Sequence, residues 1–172
     1  MYDERDDGKE PELKAGETIG TATPSVAPRE ASLFEPVRDR YGWRLALVFG
    51  NHARGGRCPY FPHACFHCDI GAGEETAFDR AANRQRLDWF RDYYQAQLGS
   101  INHLVLYNSG SILNPREMPP DLLDEILAFA RSLGATRIVS VDSREAYIRQ
   151  GALSRVVSVL GSGIMLRPIL GI

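Results

Sequence analysis

The sequence predicts an α/β protein built from parallel βα repeats, with about four strands, and three observations carry that reading. Short apolar runs alternate along the chain with amphipathic stretches of helical period. Apolar runs end in polar or turn-forming residues, the order expected when strands of a parallel sheet are joined by helical crossovers. With 172 residues, 44% hydrophobic and 24% charged, the chain can bury one sizeable core, so a single folded domain is expected.

The elements follow in order. Residues 1–32 are rich in charge, Gly, Pro, Ser and Thr without a sustained apolar period, so they cannot bury enough surface to offset their ordering entropy. A disordered leader is expected there, ahead of a core domain over 33–172. Residues 1–17 hold seven acids against three bases, which leaves the rest of a chain of net charge −2 with about two positive charges. Residues 43–49 form an apolar run closed by Gly50 and read as the first buried strand. From Glu74 to Leu98 the pattern turns helical, with Leu87, Phe90, Tyr94 and Leu98 on one face and Gly99 at the end. Residues 103–107 read as the second strand and run into the turn-forming cluster Asn108-Ser109-Gly110-Ser111.

Pro119-Pro120-Asp121 opens a second helix that turns Leu122, Ile126, Leu127, Ala130 and Leu133 inward and closes at Gly134. Residues 137–141 give the third strand, expected to stop at Asp142-Ser143-Arg144. Glu145 to Leu160 is helical with a break at Gly151, and residues 164–170 give the fourth strand. The segment after the first strand, the Asn108 turn and the Asp142 cluster would then open together at the carboxyl ends of the strands, where α/β barrels and open sheets carry their chemistry. No apolar run reaches the roughly 18 residues needed to span a bilayer, so no membrane partner is expected, and reduced thiols fit a cytoplasmic setting.

All three cysteines lie after the first strand, as Cys58-x6-Cys65-x2-Cys68. Two ligand chemistries suit them. Three thiolates can hold three irons of a cubane cluster and leave the fourth iron open to a small ligand. Alternatively, the three thiolates with His52, His63 or His67 make a Cys3His zinc set, and the chain would be a zinc-stabilised α/β interaction module. A disulfide framework is disfavoured, because the count is odd and the acidic N-terminus has no basic-then-apolar signal pattern.

The segment from Arg57 to Gly71 resembles the cluster loop of radical S-adenosylmethionine (radical SAM) enzymes, in the branches with a long first gap that include Elongator-catalytic-subunit-like and archaeosine-synthesis-like proteins. Tyr107-Asn108-Ser109-Gly110-Ser111 is similar to the Tyr-x-Ser-Gly-Ser stretch of the archaeosine-type branch, and Asp142-Ser143-Arg144 to its Glu-Ser-Arg. The resemblance covers about Leu45 to Ile172. It implies the first half of a partial TIM barrel, with Cys58, Cys65 and Cys68 ligating a [4Fe-4S] cluster. S-adenosyl-L-methionine would sit at the open iron and be cleaved by one-electron reduction to methionine and a 5′-deoxyadenosyl radical.

By the same likeness, Asn108, Ser109, Gly110 and Ser111 would meet the methionine amine. Asp142 would face the ribose or amine, Arg144 a carboxylate or the substrate, and His67 would stack where relatives carry an aromatic. A flavodoxin or ferredoxin would supply the electron, and the substrate would be a tRNA base or a small molecule, although no basic helix or aromatic RNA-binding strand is evident. Relatives continue with further strands, so the resemblance further implies an incomplete core, a weak catalyst on its own, that pairs with a complementing C-terminal half or with itself.

Overall fold

A computed structural model describes residues 36–52 and 80–171; the expected leader and the cysteine segment, with His63 and His67, lie outside the described residues. Five strands and four helices are described: β1 Val37–Asp39, β2 Gly42–Phe49, α1 Arg80–Tyr93, α2 Gln95–Leu98, β3 Ile101–Asn108, α3 Pro120–Ser132, β4 Ile138–Arg144, α4 Gln150–Leu160 and β5 Met165–Gly171. They form one sheet in the order β1-β2-β3-β4-β5, with β2 to β5 parallel and β1 antiparallel at the edge. The expected α/β class with four parallel strands is therefore observed, with a short antiparallel strand added.

Sequential strand order has a topological consequence. Right-handed crossovers between neighbours that always advance in one direction put every connecting helix on the same face of the sheet. The packing agrees: Leu45, Leu47 and Phe49 of β2, Leu104 and Leu106 of β3, and Val139 and Val141 of β4 share one core with Leu87 and Phe90 of α1, Leu122, Ile126 and Leu127 of α3, and Val156 and Leu160 of α4. Because strand side chains alternate, the opposite face carries Arg44, His103, Tyr107, Ser140, Asp142, Arg144 and Arg167. One face is thus apolar and helix-covered, and the other is rich in polar groups.

The helix layer is laced at its surface by ion pairs across α3: Arg80 to Asp121 and Arg84 to Glu125 join it to α1, and Arg155 to Asp124 joins it to α4. Exposed pairs of this kind contribute about 0–1 kcal/mol each, so they orient the helices while the apolar core supplies the stability.

The differences from expectation have local causes. β1 has only three residues, too few for a periodic signal. It exists because the chain reverses at Arg40-Tyr41 and re-enters through Gly42, whose φ of 114° and close approach to the Asn102 side chain exclude a Cβ. β4 does not stop at Val141 but runs on through Arg144, because Asp142, Ser143 and Arg144 pair with Ile169, Leu170 and Gly171 of β5. Gly151 does not break a helix; it lies in the first turn of α4, and the interruption falls at Ile148-Arg149, after a 3-10 turn over Glu145–Tyr147.

At the amino end of the polar face the hairpin is stapled to the sheet. His103 Nδ1 is 3.0 Å from Asp39 Oδ2, and its Nε2 is 2.8 Å from Ser140 Oγ. A carboxylate only accepts, so Nδ1–H donates to Asp39, and in the neutral ring Nε2 accepts the Ser140 hydroxyl. Partial burial raises the Asp39 pKa, but the His103 bond, the Tyr41 N–H and the nearby Arg44 charge outweigh it and hold the carboxyl below its usual range. The Ser-His-Asp order is that of a nucleophilic triad, yet Ser140 is 1% and His103 3% exposed, so the hydroxyl meets no substrate and the set is structural.

Candidate functional site

The carboxyl ends of β2, β3 and β4 meet in a compact polar cluster. After β3, Gly110 N–H donates to Asn108 C=O at 2.7 Å, which turns the chain sharply and brings Ser111 back over β4. Ser111 Oγ there accepts both the backbone N–H of Arg144, at 3.1 Å, and its Nε–H, at 2.7 Å. Ile112 N–H donates to Asp142 C=O at 3.0 Å and continues the attachment of this loop to β4. Two predicted site residues, Ser111 and Arg144, are therefore in direct contact although they lie far apart in sequence.

The centre of the cluster is a residue that sequence reading missed. Glu117, only 6% exposed, accepts the Ser111 N–H at 2.7 Å through Oε2 and pairs through Oε1 with Arg144 Nη2. The Arg144 guanidinium also lies over the Tyr147 ring, 5.0 Å from its centroid. Glu117 packs directly beneath Gly110: a Cβ there would collide with its carboxylate and with the Asn51 amide. A side chain at this position would have to displace one or both of these side-chain ends. An available signal was that Glu117 is the one acid between Asp92 and Asp121, but nothing in the spacing joins it to Arg144.

The same cluster ties down the start of the segment that leads to the cysteines. Asn51 Nδ2 donates to Ser109 C=O at 2.9 Å, and His52 N–H donates to Glu117 C=O at 3.0 Å. Gly50 in turn pairs both its backbone groups with the Asn83 amide of α1, at 2.8 and 3.0 Å. The two flanks of the segment 53–79 are thus hydrogen-bonded to each other, and its amino-terminal flank is bonded to the Ser109–Ser111 turn.

The remaining predicted residues divide between the two faces of the sheet. Asn108 and Ser143 point to the helix side; they are 3% and 0% exposed, and neither the Asn108 amide nor the Ser143 hydroxyl has a hydrogen-bond partner among the described residues. Asp142 and Tyr107 lie on the polar face. Burial pushes the Asp142 carboxyl above its usual range. Burial, and then the Asp142 charge, raise the Tyr107 hydroxyl against the opposing charge of Arg44. Asn108 and Asp142 therefore do not face one space, as a shared ligand contact through side chains would need.

Among the described residues no group of three or more His, Cys, Asp or Glu could hold a metal ion, and Cys58, Cys65, Cys68 and His67 are not described. A groove of about 630 Å³ lies between α1, α2 and α3, lined by Leu87, Leu98, Phe129 and the paired Arg84 and Glu125, and belongs to the helix layer and not to the strand ends. No helix among the described residues is long and apolar enough to cross a membrane. The chain matches no family model, no curated protein and no solved structure.

Proposed function

We propose that the chain is a radical SAM-type domain in which Cys58, Cys65 and Cys68 hold a [4Fe-4S] cluster and the carboxyl ends of β3 and β4 bind S-adenosylmethionine. The observation that carries the reading is the bond from Asn51, which precedes the cysteines in sequence, to the carbonyl of Ser109 in the Ser-Gly-Ser turn. The sequential parallel sheet with all helices on one face supports the finer fold reading, a partial barrel whose inner wall is the polar face.

The residues present fit both groups. Three thiolates without a fourth are a soft donor set that leaves one metal position open. Asp142, on the polar face at the end of β4, offers an acceptor for an ammonium or a ribose hydroxyl, whereas the Asn108 amide points to the helix side and could reach the cofactor only through its backbone. When bound, the cluster and cofactor supply one-electron reductive cleavage, with a flavodoxin- or ferredoxin-like protein as the electron donor. Ser109 to Ser111 and Arg144 orient the cofactor's amino-acid end, and the apolar helix side shuts water out from beneath the turn. A tRNA base or another nucleoside is the proposed substrate class.

Anaerobic reconstitution with iron and sulfide is the test. Close to four irons and four sulfides per chain are expected, about the stoichiometry of one cubane, and Ala at any one of the three cysteines should abolish retention. Stoichiometric zinc with no iron uptake, lost again in His63→Ala, would establish the Cys3His interaction module in its place.

A further inference from the structure

We infer that Glu117 is a positioning residue that clamps the Ser109–Ser111 turn, Arg144 and the stem of the cysteine segment into one rigid unit, and so sets how the cofactor's amino-acid end is received. The inference rests on the reading above for the ligand, but the clamp itself rests on the geometry. One nearly buried carboxylate takes the Ser111 N–H and the Arg144 guanidinium, while the backbone carbonyl of the same residue takes the His52 N–H. Asn51 closes the ring by donating to Ser109 C=O. Three strand ends, β2, β3 and β4, thus meet at a residue that belongs to none of them.

The charge matters beyond the shape. A partly buried guanidinium paired with a carboxylate is oriented by a charge-assisted bond, which a neutral partner weakens while the Ser111 and Tyr147 contacts remain. Glu117 itself sits below Gly110, so it acts on a ligand only through the turn and Arg144. A ligand carboxylate competing for Arg144 would meet a guanidinium already oriented, and a ligand amine would meet a turn already fixed. Both lower the ordering cost of binding.

The test uses the full chain as wild type, Glu117→Gln, Glu117→Ala and Gly110→Ala, with three readouts. These are bound iron and sulfide after anaerobic reconstitution, the Kd of the loaded protein for S-adenosylmethionine, and amide hydrogen exchange of the unloaded chain over residues 109–111 and at His52. The clamp predicts equal iron and sulfide in all four proteins. It predicts Kd weaker by about tenfold in Glu117→Gln, the scale of one charge-assisted bond, and weaker still in Glu117→Ala. Exchange should quicken most at Ser111 in Glu117→Ala, and in Gly110→Ala because its methyl displaces the carboxylate, less in Glu117→Gln, and at His52 only as far as loosening of the side chain lets the backbone of residue 117 move. Glu117→Gln keeps the shape and an acceptor for Ser111, so it controls for simple loss of folding.

Unchanged exchange and unchanged Kd in Glu117→Gln would overturn the clamp while leaving the proposed function standing. A wild-type protein that takes up no iron or binds no S-adenosylmethionine would overturn the proposed function, and the exchange readout would still decide the clamp.

Discussion

Asp142 carries the clearest chemical signature in the cluster. It ends on the polar face, partly buried, with no hydrogen-bond or ion-pair partner among the described residues, and burial raises its carboxyl above the usual range. The native chain then holds a proton at Asp142 more readily than the unfolded chain does. Stability therefore falls as pH rises from the ordinary carboxylate pKa, about 3.9, through the raised folded value, and stays at the lower level at neutral pH. Asp142→Asn removes that penalty. Its urea midpoint at pH 7 should exceed that of the wild type, the difference should shrink below the ordinary carboxylate pKa, and the Tyr107 hydroxyl should titrate lower once its negative neighbour is gone. A destabilised Asp142→Asn at pH 7 would mean that the carboxylate already has a favourable partner.

Among the elements, the junction of β2 with α1 joins the described residues on either side of 53–79. Gly50 is the last residue before the flank, and its N–H and C=O are both satisfied by one buried side-chain amide, that of Asn83. Asn83→Ala leaves two buried backbone groups unpaired, which costs about 2–6 kcal/mol at 1–3 kcal/mol for each unsatisfied group. A denaturant titration should show that loss, and the variant should retain less cluster after reconstitution than its remaining stability alone would explain. A loss below about 0.5 kcal/mol, the scale of an ordinary surface substitution, would show that water replaces the amide and that the flank is not held by α1. β4 makes a related point: its last three residues stay in the sheet through β5, and this extension brings Arg144 under Ser111.

For the molecule as a whole, the sheet has two different edges. β1 is three residues long and joined to β2 by a tight turn, a short edge. β5 is seven residues long and has no strand beyond it among the described residues, while Met165 and Leu170 are 60% and 52% exposed. Pro168 removes one donor from this strand and only partly blunts its edge. The chain should therefore associate through β5 as its concentration rises. Sedimentation velocity should show a growing faster species that Met165→Lys with Leu170→Lys suppresses; a wild-type monomer at all concentrations would show that the edge is already covered.

The alternation of apolar runs and amphipathic helices was legible in the residues themselves, because burial on one side imposes a period on side chains wherever an element is long enough to repeat it. That period located β2 to β5, α1, α3 and α4, and it marked Asn108 to Ser111 and Asp142 to Arg144 as groups at strand ends. β1 was too short to carry a period, and the end of β4 was disguised because Asp and Ser ordinarily signal a turn, a preference that pairing with β5 overrides. Which face each polar residue takes came from register: Asn108 and Asp142 look alike in sequence, yet strand parity sends them to opposite sides of the sheet. The Glu117 clamp was the least legible part. Its bonds to Ser111, Arg144 and His52 join residues from three strand ends, and no local pattern encodes a contact that exists only after parallel strands have been brought side by side. Local burial chose the elements, and the closing of the sheet chose which of their ends would meet.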